Sequence, residues 1–195
     1  MINAAIIVNP ISGKGRGEKL LHSLRKYVNP PSVNLEIIKT DFPLHATIIA
    51  KDLSNKYDRI IIAGGDGTLN EFINGFDLKS NALLGLLPIG SGNDFALSLN
   101  KGKYELNLFL EQFFEKDPKI LEVDIGSIEL YKVNGNIIKK RFINSLGIGF
   151  DAKVAYLNQS NKILSGSLSY ITAIIRAFLK FNLIDFKINI NGKYL

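Results

Sequence analysis

The chain has 195 residues, of which 46% are hydrophobic and 22% are charged, so it can form one large domain or two small ones and is too apolar to be disordered. It contains no cysteine and only two histidines, which excludes a disulfide framework and a zinc site built on thiolates. The net charge of +6 and the pI near 9.4 favour acidic partners such as phosphates or anionic headgroups, and we expect no nucleic acid because no RNP-like motif, zinc finger or dense basic run is present.

The first half of the chain alternates short apolar runs with stretches of helical periodicity. The apolar runs are residues 4–8, 35–38, 59–63 and 83–87, and the helical stretches are residues 17–27, 45–54, 68–75 and 104–114. This β-α alternation is typical of a parallel sheet covered by helices. The first ten residues, MINAAIIVNP, have no basic n-region, so we interpret them as the first strand and not as a signal peptide.

The pattern changes after Asp117-Pro118. Residues 120–130 and 137–144 alternate apolar and polar side chains around the turn Asn134-Gly135-Asn136, which predicts an antiparallel hairpin. Residues 152–181 have helical periodicity, and residues 186–190 begin another strand. Too few strands follow residue 120 to bury both faces of a sandwich, so we expect a complete α/β domain over residues 1–120 and an incomplete antiparallel domain over residues 121–195.

The strongest motif follows the third strand and opens a helix. It reads Gly64-Gly65-Asp66-Gly67-Thr68-Leu69-Asn70-Glu71. Glycines at the carboxyl end of a parallel strand let the backbone approach a phosphate, and the helix N-terminus favours an anion. A carboxylate in such a loop can hold Mg²⁺. Taken alone, the motif is equally well explained as a tight turn with Thr68 as the N-cap.

Two similar loops follow the first and fourth strands. They read Asn9-Pro10-Ile11-Ser12-Gly13-Lys14-Gly15-Arg16-Gly17 and Pro88-Ile89-Gly90-Ser91-Gly92-Asn93-Asp94-Phe95-Ala96. The first loop has neither the Walker A spacing nor the G-x-G-x-x-G spacing; its basic residues Lys14 and Arg16 would attract phosphate. In the last, Asn93 and Asp94 could alternatively cap a helix. Three such loops are expected to meet at one sheet edge and form a ligand crevice.

In their order and spacing these three motifs resemble those of the bacterial diacylglycerol kinase family, whose relatives include sphingosine and ceramide kinases. A fourth segment, Gly147-Ile148-Gly149-Phe150-Asp151-Ala152, resembles a motif of bacterial members. The resemblance covers essentially the whole chain. It implies a phosphofructokinase-like α/β nucleotide-binding domain, a following β-sandwich, and transfer of the γ-phosphate of ATP to a lipid hydroxyl at the membrane surface. The absence of cysteine and of a signal peptide fits a cytoplasmic protein.

Position by position, the resemblance also implies the site residues. ATP contacts would fall on Asn9, Pro10, Ile11, Ser12, Gly13, Thr40, Gly65, Asp66, Gly67, Thr68, Leu69, Asn70, Glu71 and Ser91. A carboxylate network with Mg²⁺ would fall on Asp66, Asp94 and Asp124, which are the expected catalytic and metal-binding residues. Ser91 stands where many relatives have threonine, so the hydroxyl is kept. From the residues alone, Asp124 is an acid in an apolar strand, for which an edge or a bulge is an equal explanation.

Other functions stay open at this point. NAD kinase shares a GGDGT loop, but the loops of residues 9–15 and 90–96 resemble the lipid branch. A non-catalytic nucleotide-binding remnant is the second alternative, because the general base that the resemblance implies would lie beyond Leu195 and Asp151 does not match it. The activity of this 195-residue chain is therefore left open. A Rossmann dehydrogenase comes last, since its fingerprint is missing.

The last helical stretch carries an apolar stripe. It consists of Tyr170, Ile171, Ile174, Ile175, Phe178 and Phe181. Residues spaced in this way normally pack on the rest of a domain; the alternative is a surface that faces lipid, with Arg176 and Lys180 near the headgroups. Residues 170–184 are too few and too charged to cross a bilayer. Exposed strand edges in an incomplete sandwich predict self-association into a homo-oligomer.

Overall fold

The computed structural model describes residues 1–28, 30–99, 104–131, 134–159, 167–180, 189–190 and 193–194. The chain divides into two compact units, Met1–Asn144 and Ser145–Leu195. No helix within the described residues has the length and hydropathy needed to cross a membrane.

The first unit is built on a parallel sheet, which confirms the predicted α/β class. The strands are β1 (Ile2–Val8), β2 (Val33–Lys39), β3 (Arg59–Gly64) and β4 (Leu83–Pro88), in the order β2-β1-β3-β4. Their register places Val8 opposite both Lys39 and Ala63, and Gly64 opposite Pro88, so all four strands end at one edge. The chain leaves β1 for β2 on one side and then crosses to β3 on the other. The switch point of the sheet, where ligands bind in open α/β folds, therefore lies between β1 and β3.

Helices cover both faces of this sheet. They are α1 (Ser12–Leu24), α2 (His45–Leu53), α3 (Asp66–Gly75), α4 (Asp94–Ser98) and α5 (Leu106–Phe113). Four of the five match the predicted helical stretches; α4 corresponds to the alternative in which a helix follows Asn93. The range of α1 starts before the predicted stretch because it includes a turn at Gly13, Lys14 and Gly15, which have φ of 60°, 58° and 90°. The regular part of the helix starts at Arg16.

The core has two layers because successive strand residues face opposite sides of the sheet. On one side Ala4, Ile6, Val8, Ile61 and Ala63 pack with α1 and α5. On the other side Ala5, Ile7, Ile60 and Ile62 pack with α2 and α3. Arg59, at the start of β3, is buried (7% exposed) and donates a hydrogen bond to the backbone carbonyl oxygen of Phe113. Its Cζ also lies 6.0 Å from the centroid of the Phe113 ring. This contact closes the C-terminal end of α5.

The predicted hairpin is confirmed and belongs to the first compact unit. Its strands are β5 (Gly126–Tyr131) and β6 (Ile137–Phe142), which are antiparallel. The Asn74 side chain pairs with the backbone of Arg141 through two bonds of 2.9 Å. The Arg141 guanidinium donates to the carbonyl oxygens of Ile73 and Phe76, at 2.9 and 2.5 Å. These bonds fix β6 to the C-terminal end of α3. The domain division at residue 120 and the incomplete sandwich stay predictions.

The second unit contains two helices where the sequence predicts one helical segment. They are α6 (Phe150–Gln159) and α7 (Ser167–Lys180), followed by the short strands β7 (Asn189–Ile190) and β8 (Lys193–Tyr194). The helices pack through Val154, Ala173 and Ala177. The predicted apolar stripe lies elsewhere on α7: Phe178 is 77% exposed. Phe181 and residues 186–188 of the predicted last strand lie outside the described residues.

Candidate functional site

A cleft of about 330 Å³ opens at the carboxyl edge of the sheet. It is lined by Asn9, Ser12, Gly13, Gly65, Asp66, Gly67, Thr68, Glu71, Gly90, Ser91 and Gly92. These residues come from the loops after β1, β3 and β4 and from the first turns of α3. The cleft thus lies at the switch point between β1 and β3, and the three glycine-rich loops that the sequence singles out meet there.

The loop after β1 is fixed to the start of α3. Asn9 donates its backbone N–H to the carbonyl oxygen of Ala63 at 3.0 Å and its side-chain Nδ2–H to Thr68 Oγ1 at 2.9 Å. Gly13 has φ of 60°, and a Cβ there would lie 1.9 Å from the carbonyl oxygen of Ile89. Only glycine fits this position, because both the left-handed backbone and the close approach exclude a side chain.

The loop after β3 places a helix N-terminus at the cleft. The helix α3 begins at Asp66, directly after the extended Gly65. Leu69 N–H makes the first bond of the helix, to the carbonyl oxygen of Gly65 at 3.1 Å. The backbone N–H groups of Asp66, Gly67 and Thr68 therefore have no partner within the helix. Together with the helix dipole they favour an anion in the cleft.

Asp66 also holds the third loop. Its Oδ2 accepts a hydrogen bond from the backbone N–H of Asp94, and its Oδ1 accepts one from that of Phe95, both at 3.1 Å. These two groups lie in the first turn of α4. The sequence suggested that Asn93 and Asp94 could cap this helix. The Asn93 side chain makes no cap bond, and the carboxylate of Asp66, in the neighbouring loop, accepts the N–H groups at the start of the helix instead.

The Asn93 side chain bonds to the backbone of its own loop, the third. Its Nδ2 donates to the carbonyl oxygens of Pro88 and Gly90, at 3.2 and 2.9 Å. Its Oδ1 is buried and has no hydrogen-bond partner among the described residues. Gly90 packs directly on the second loop, since a Cβ at Gly90 would lie 2.3 Å from the Cα of Gly65. The cleft wall is therefore made of closely packed backbone.

Two of the three predicted metal-binding carboxylates lie near each other. A Cβ at Gly92 would lie 3.4 Å from Asp66 Oδ2 and 3.5 Å from Asp94 Oδ1. Asp124 is exposed in the segment before β5. Where the structure describes the chain, no group of three or more histidine, cysteine or acidic side chains is arranged to hold a metal ion. The three-carboxylate network stays a prediction.

Several predicted ATP contacts lie away from the cleft walls. Among the described residues, those that do not line the cleft are Pro10, Ile11, Thr40, Leu69 and Asn70. Leu69 is 4% exposed because it points into the core from α3, and Ile11 is 81% exposed. Thr40 is buried, and its N–H extends the pairing of β2 with β1 through the carbonyl oxygen of Val8 at 3.0 Å. Their contact with a ligand stays a prediction.

The cleft includes two residues that were not among the predicted contacts. Gly90 and Gly92 both line it, on either side of Ser91. The signal was present in the sequence, because Gly90-Ser91-Gly92 directly follows an apolar run that ends in Pro88-Ile89. Such a step at a strand end brings backbone as well as a side chain to the crevice.

Comparison with known proteins identifies the family. The model of the diacylglycerol kinase catalytic domain matches residues 3–128. The chain is 31% identical over 173 residues to a diacylglycerol kinase of Bacillus subtilis strain 168, covering 87% of this chain and 54% of that protein. It is 31% identical over 195 residues to a diacylglycerol kinase of Staphylococcus aureus strain MRSA252, covering 97% and 57%.

A solved structure shares the architecture. The crystal structure of a diacylglycerol kinase from Bacillus anthracis strain Sterne aligns with a TM-score of 0.55 and 25% identity, over 99% of this chain and 60% of that one. The chain spans about half the length of the curated relatives it matches. With its catalytic-domain match over residues 3–128 and the three loops in place around the cleft, the chain belongs to the diacylglycerol kinase family.

Proposed function

We propose that the chain carries the ATP-binding part of a lipid kinase, which transfers the γ-phosphate of ATP to the hydroxyl of a lipid such as diacylglycerol. The observation that supports this proposal is the cleft at the switch point, where three glycine-rich loops meet and the N-terminus of α3 presents backbone N–H groups. In the transfer, the lipid hydroxyl gives its proton to solvent as its oxygen bonds to the γ-phosphorus, while the bond from that phosphorus to the bridging oxygen breaks and ADP leaves with the electron pair.

The shape and chemistry of the cleft suit a polyphosphate. Its volume of about 330 Å³ is at the lower end of small-molecule sites. Backbone N–H groups at a helix N-terminus bind phosphate oxygens without a positively charged side chain. The Ser12 and Ser91 side chains add hydroxyl groups on either side, while the Asn9 side chain, bonded to Thr68, keeps the first loop against α3. Such preformed donors stabilise the charge that moves during phosphoryl transfer.

Mg²⁺ fits the donor set of this cleft. Magnesium usually binds one or two protein carboxylates together with substrate phosphates and water, so a cluster of three acids is not required. Asp66 lines the cleft, and each of its oxygens is bonded to a single backbone N–H, which leaves further lone pairs free. Asp66 and the nearby Asp94 would hold the ion. When bound, the ion would neutralise charge on the transferring phosphoryl group.

The lipid acceptor and its location also belong to the proposal. A net charge of +6 attracts the chain to anionic membrane surfaces, where a lipid hydroxyl is available. We infer a cytoplasmic protein that acts at the membrane periphery, in phospholipid metabolism.

Phosphate transfer from labelled ATP to diacylglycerol in mixed micelles with Mg²⁺ tests the proposal. The variant Asp66→Asn should lose lipid labelling, while Asp52→Asn, which removes an exposed acid on α2, should keep it. Calorimetric titration of MgATP into the same proteins separates binding from transfer. Binding without labelling would favour a non-catalytic nucleotide-binding protein, and phosphorylation of NAD without lipid would favour NAD kinase. A folded chain that neither binds MgATP nor labels lipid would overturn the proposal.

A further inference from the structure

The Arg16 guanidinium donates hydrogen bonds to two backbone carbonyl groups. Its Nε–H donates to the carbonyl oxygen of Gly13 at 3.2 Å, and its Nη2–H donates to the carbonyl oxygen of Gly90. The sequence suggested instead that this charge attracts phosphate. Arg16 is exposed and is not among the residues that line the cleft, so its guanidinium contacts the loops and not the cleft itself.

The two carbonyl groups belong to different walls of the cleft. Gly13 is part of the left-handed turn after β1, and a Cβ there would lie 2.4 Å from Arg16 Nε. Gly90 begins the loop after β4, 74 residues further along the chain. A guanidinium can serve two acceptors at once because its N–H groups are held in a planar fork, whereas a lysine ammonium is a single point of charge.

The third loop is thus held from two sides. Arg16 and the Asn93 side chain both donate to the carbonyl oxygen of Gly90, and the Asp66 carboxylate accepts the N–H groups of Asp94 and Phe95. Ser91 and Gly92, which line the cleft, lie between these two attachment points. If the bond from Arg16 is lost, the start of this loop keeps its contact with Gly65, the Asn93 amide and the bond from Ile89 N–H to the Gly64 carbonyl oxygen, but it loses this hydrogen bond to the first loop.

We propose that Arg16 is a positioning residue, which joins the first loop to the third and sets the width of the cleft for the triphosphate of the nucleotide. This inference rests on the proposed nucleotide binding. It differs from a direct phosphate contact because it depends on the fork of the guanidinium, and charge alone does not replace it. Arg16→Lys keeps the charge and should therefore behave like Arg16→Gln.

Binding and hydrogen exchange together test this role. Arg16→Lys and Arg16→Gln should each weaken both MgATP and magnesium tripolyphosphate about tenfold, equivalent to one charge-assisted hydrogen bond. In the absence of ligand, the backbone amides of residues 90–95 should exchange faster in both variants. Lys19→Gln removes the same charge from an exposed position on α1 and should change neither quantity.

The outcomes separate this inference from the proposed function. Wild-type affinity in Arg16→Lys, with a loss only in Arg16→Gln, would show that charge acts on the phosphates and would overturn the positioning role. Unchanged exchange of residues 90–95 in both variants would overturn it as well. If the wild-type protein binds neither ligand, the proposed function fails, whereas faster exchange in the variants would still support the connection between the loops.

Discussion

The substitution Gly90→Ala should push apart the second and third loops, which pack against each other at Gly65 and Gly90. A Cβ there would lie 2.3 Å from the Cα of Gly65 and 2.7 Å from Asn93 Oδ1, well inside ordinary contact. Gly90 does not have a positive φ, so the cost of Gly90→Ala is steric and not conformational. Because the first neighbour is backbone and the second belongs to a bonded amide, we expect the loops to move apart at a cost of about 1–3 kcal/mol in the free energy of unfolding.

Gly67 provides the matched control for this substitution. It lines the same cleft from the first turn of α3, and a Cβ there would have no neighbour within 4 Å. Alanine is favoured over glycine in a helix by roughly 0.5–1 kcal/mol, so Gly67→Ala should raise stability slightly. Urea unfolding followed by circular dichroism measures both changes. If Gly90→Ala were as stable as Gly67→Ala, with the same dependence on urea, the close packing of the two loops would be refuted.

Three further predictions concern contacts around the sheet. Tyr57 donates a hydrogen bond to the Glu36 carboxylate, which with burial raises the pKa of Tyr57 from 10.0 to about 12. The native state then keeps a proton that the unfolded chain has lost, so urea midpoints should fall as the pH rises from about 10 towards 12, and less steeply in Tyr57→Phe. Arg59→Leu leaves the last carbonyl group of α5 unpaired and should lower the free energy of unfolding by about 1–3 kcal/mol in urea titrations, with Arg59→Lys in between. Asn74→Ala removes both bonds to the Arg141 backbone, and limited proteolysis should then cut the β5–β6 hairpin faster than in the wild-type chain.

The parallel sheet could be predicted because its central strands, β1 and β3, are buried on both faces. Such strands are nearly continuous apolar runs, as in Ile60-Ile61-Ile62-Ala63, and each run here ends at a glycine-rich or polar loop. Once the strands are parallel, their carboxyl ends must share an edge, so the meeting of the three loops follows from topology alone. What the pattern could not give was the strand order, and with it the position of the cleft beside β1 and β3.

The helical stretch predicted over residues 152–181 holds two helices, Phe150–Gln159 and Ser167–Lys180, and residues 160–166 lie outside the described residues. Helical periodicity continues on both sides of residues 160–166, and periodicity alone does not mark an end. The buried face of α7 was missed because two alanines form it and small residues contribute little to an apolar stripe.

The roles of Asp66 and Arg16 depend on contacts that no local pattern contains. The Asp66 carboxylate meets backbone N–H groups 28 and 29 residues away, and Arg16 meets a carbonyl group 74 residues away. Both contacts exist only because β3 pairs with β4 and β1 with β3 in one register. A sequence motif can therefore identify a charged residue as important without showing whether it touches the ligand or holds the loop that does.

This distinction decides how substitutions at Asp66 should be interpreted. Asp66→Ala removes a carboxylate from the cleft and, at the same time, leaves two N–H groups at the start of α4 without an acceptor. A loss of activity in that variant would fit either a missing metal ligand or a displaced third loop. Asp66→Asn keeps one oxygen as an acceptor but carries no charge, so it retains more of the loop than of the cation affinity. Hydrogen exchange of residues 90–95 in this variant then assigns the loss: exchange like that of the wild type means that the carboxylate acts on the ligand, and faster exchange means that it acts through the loop.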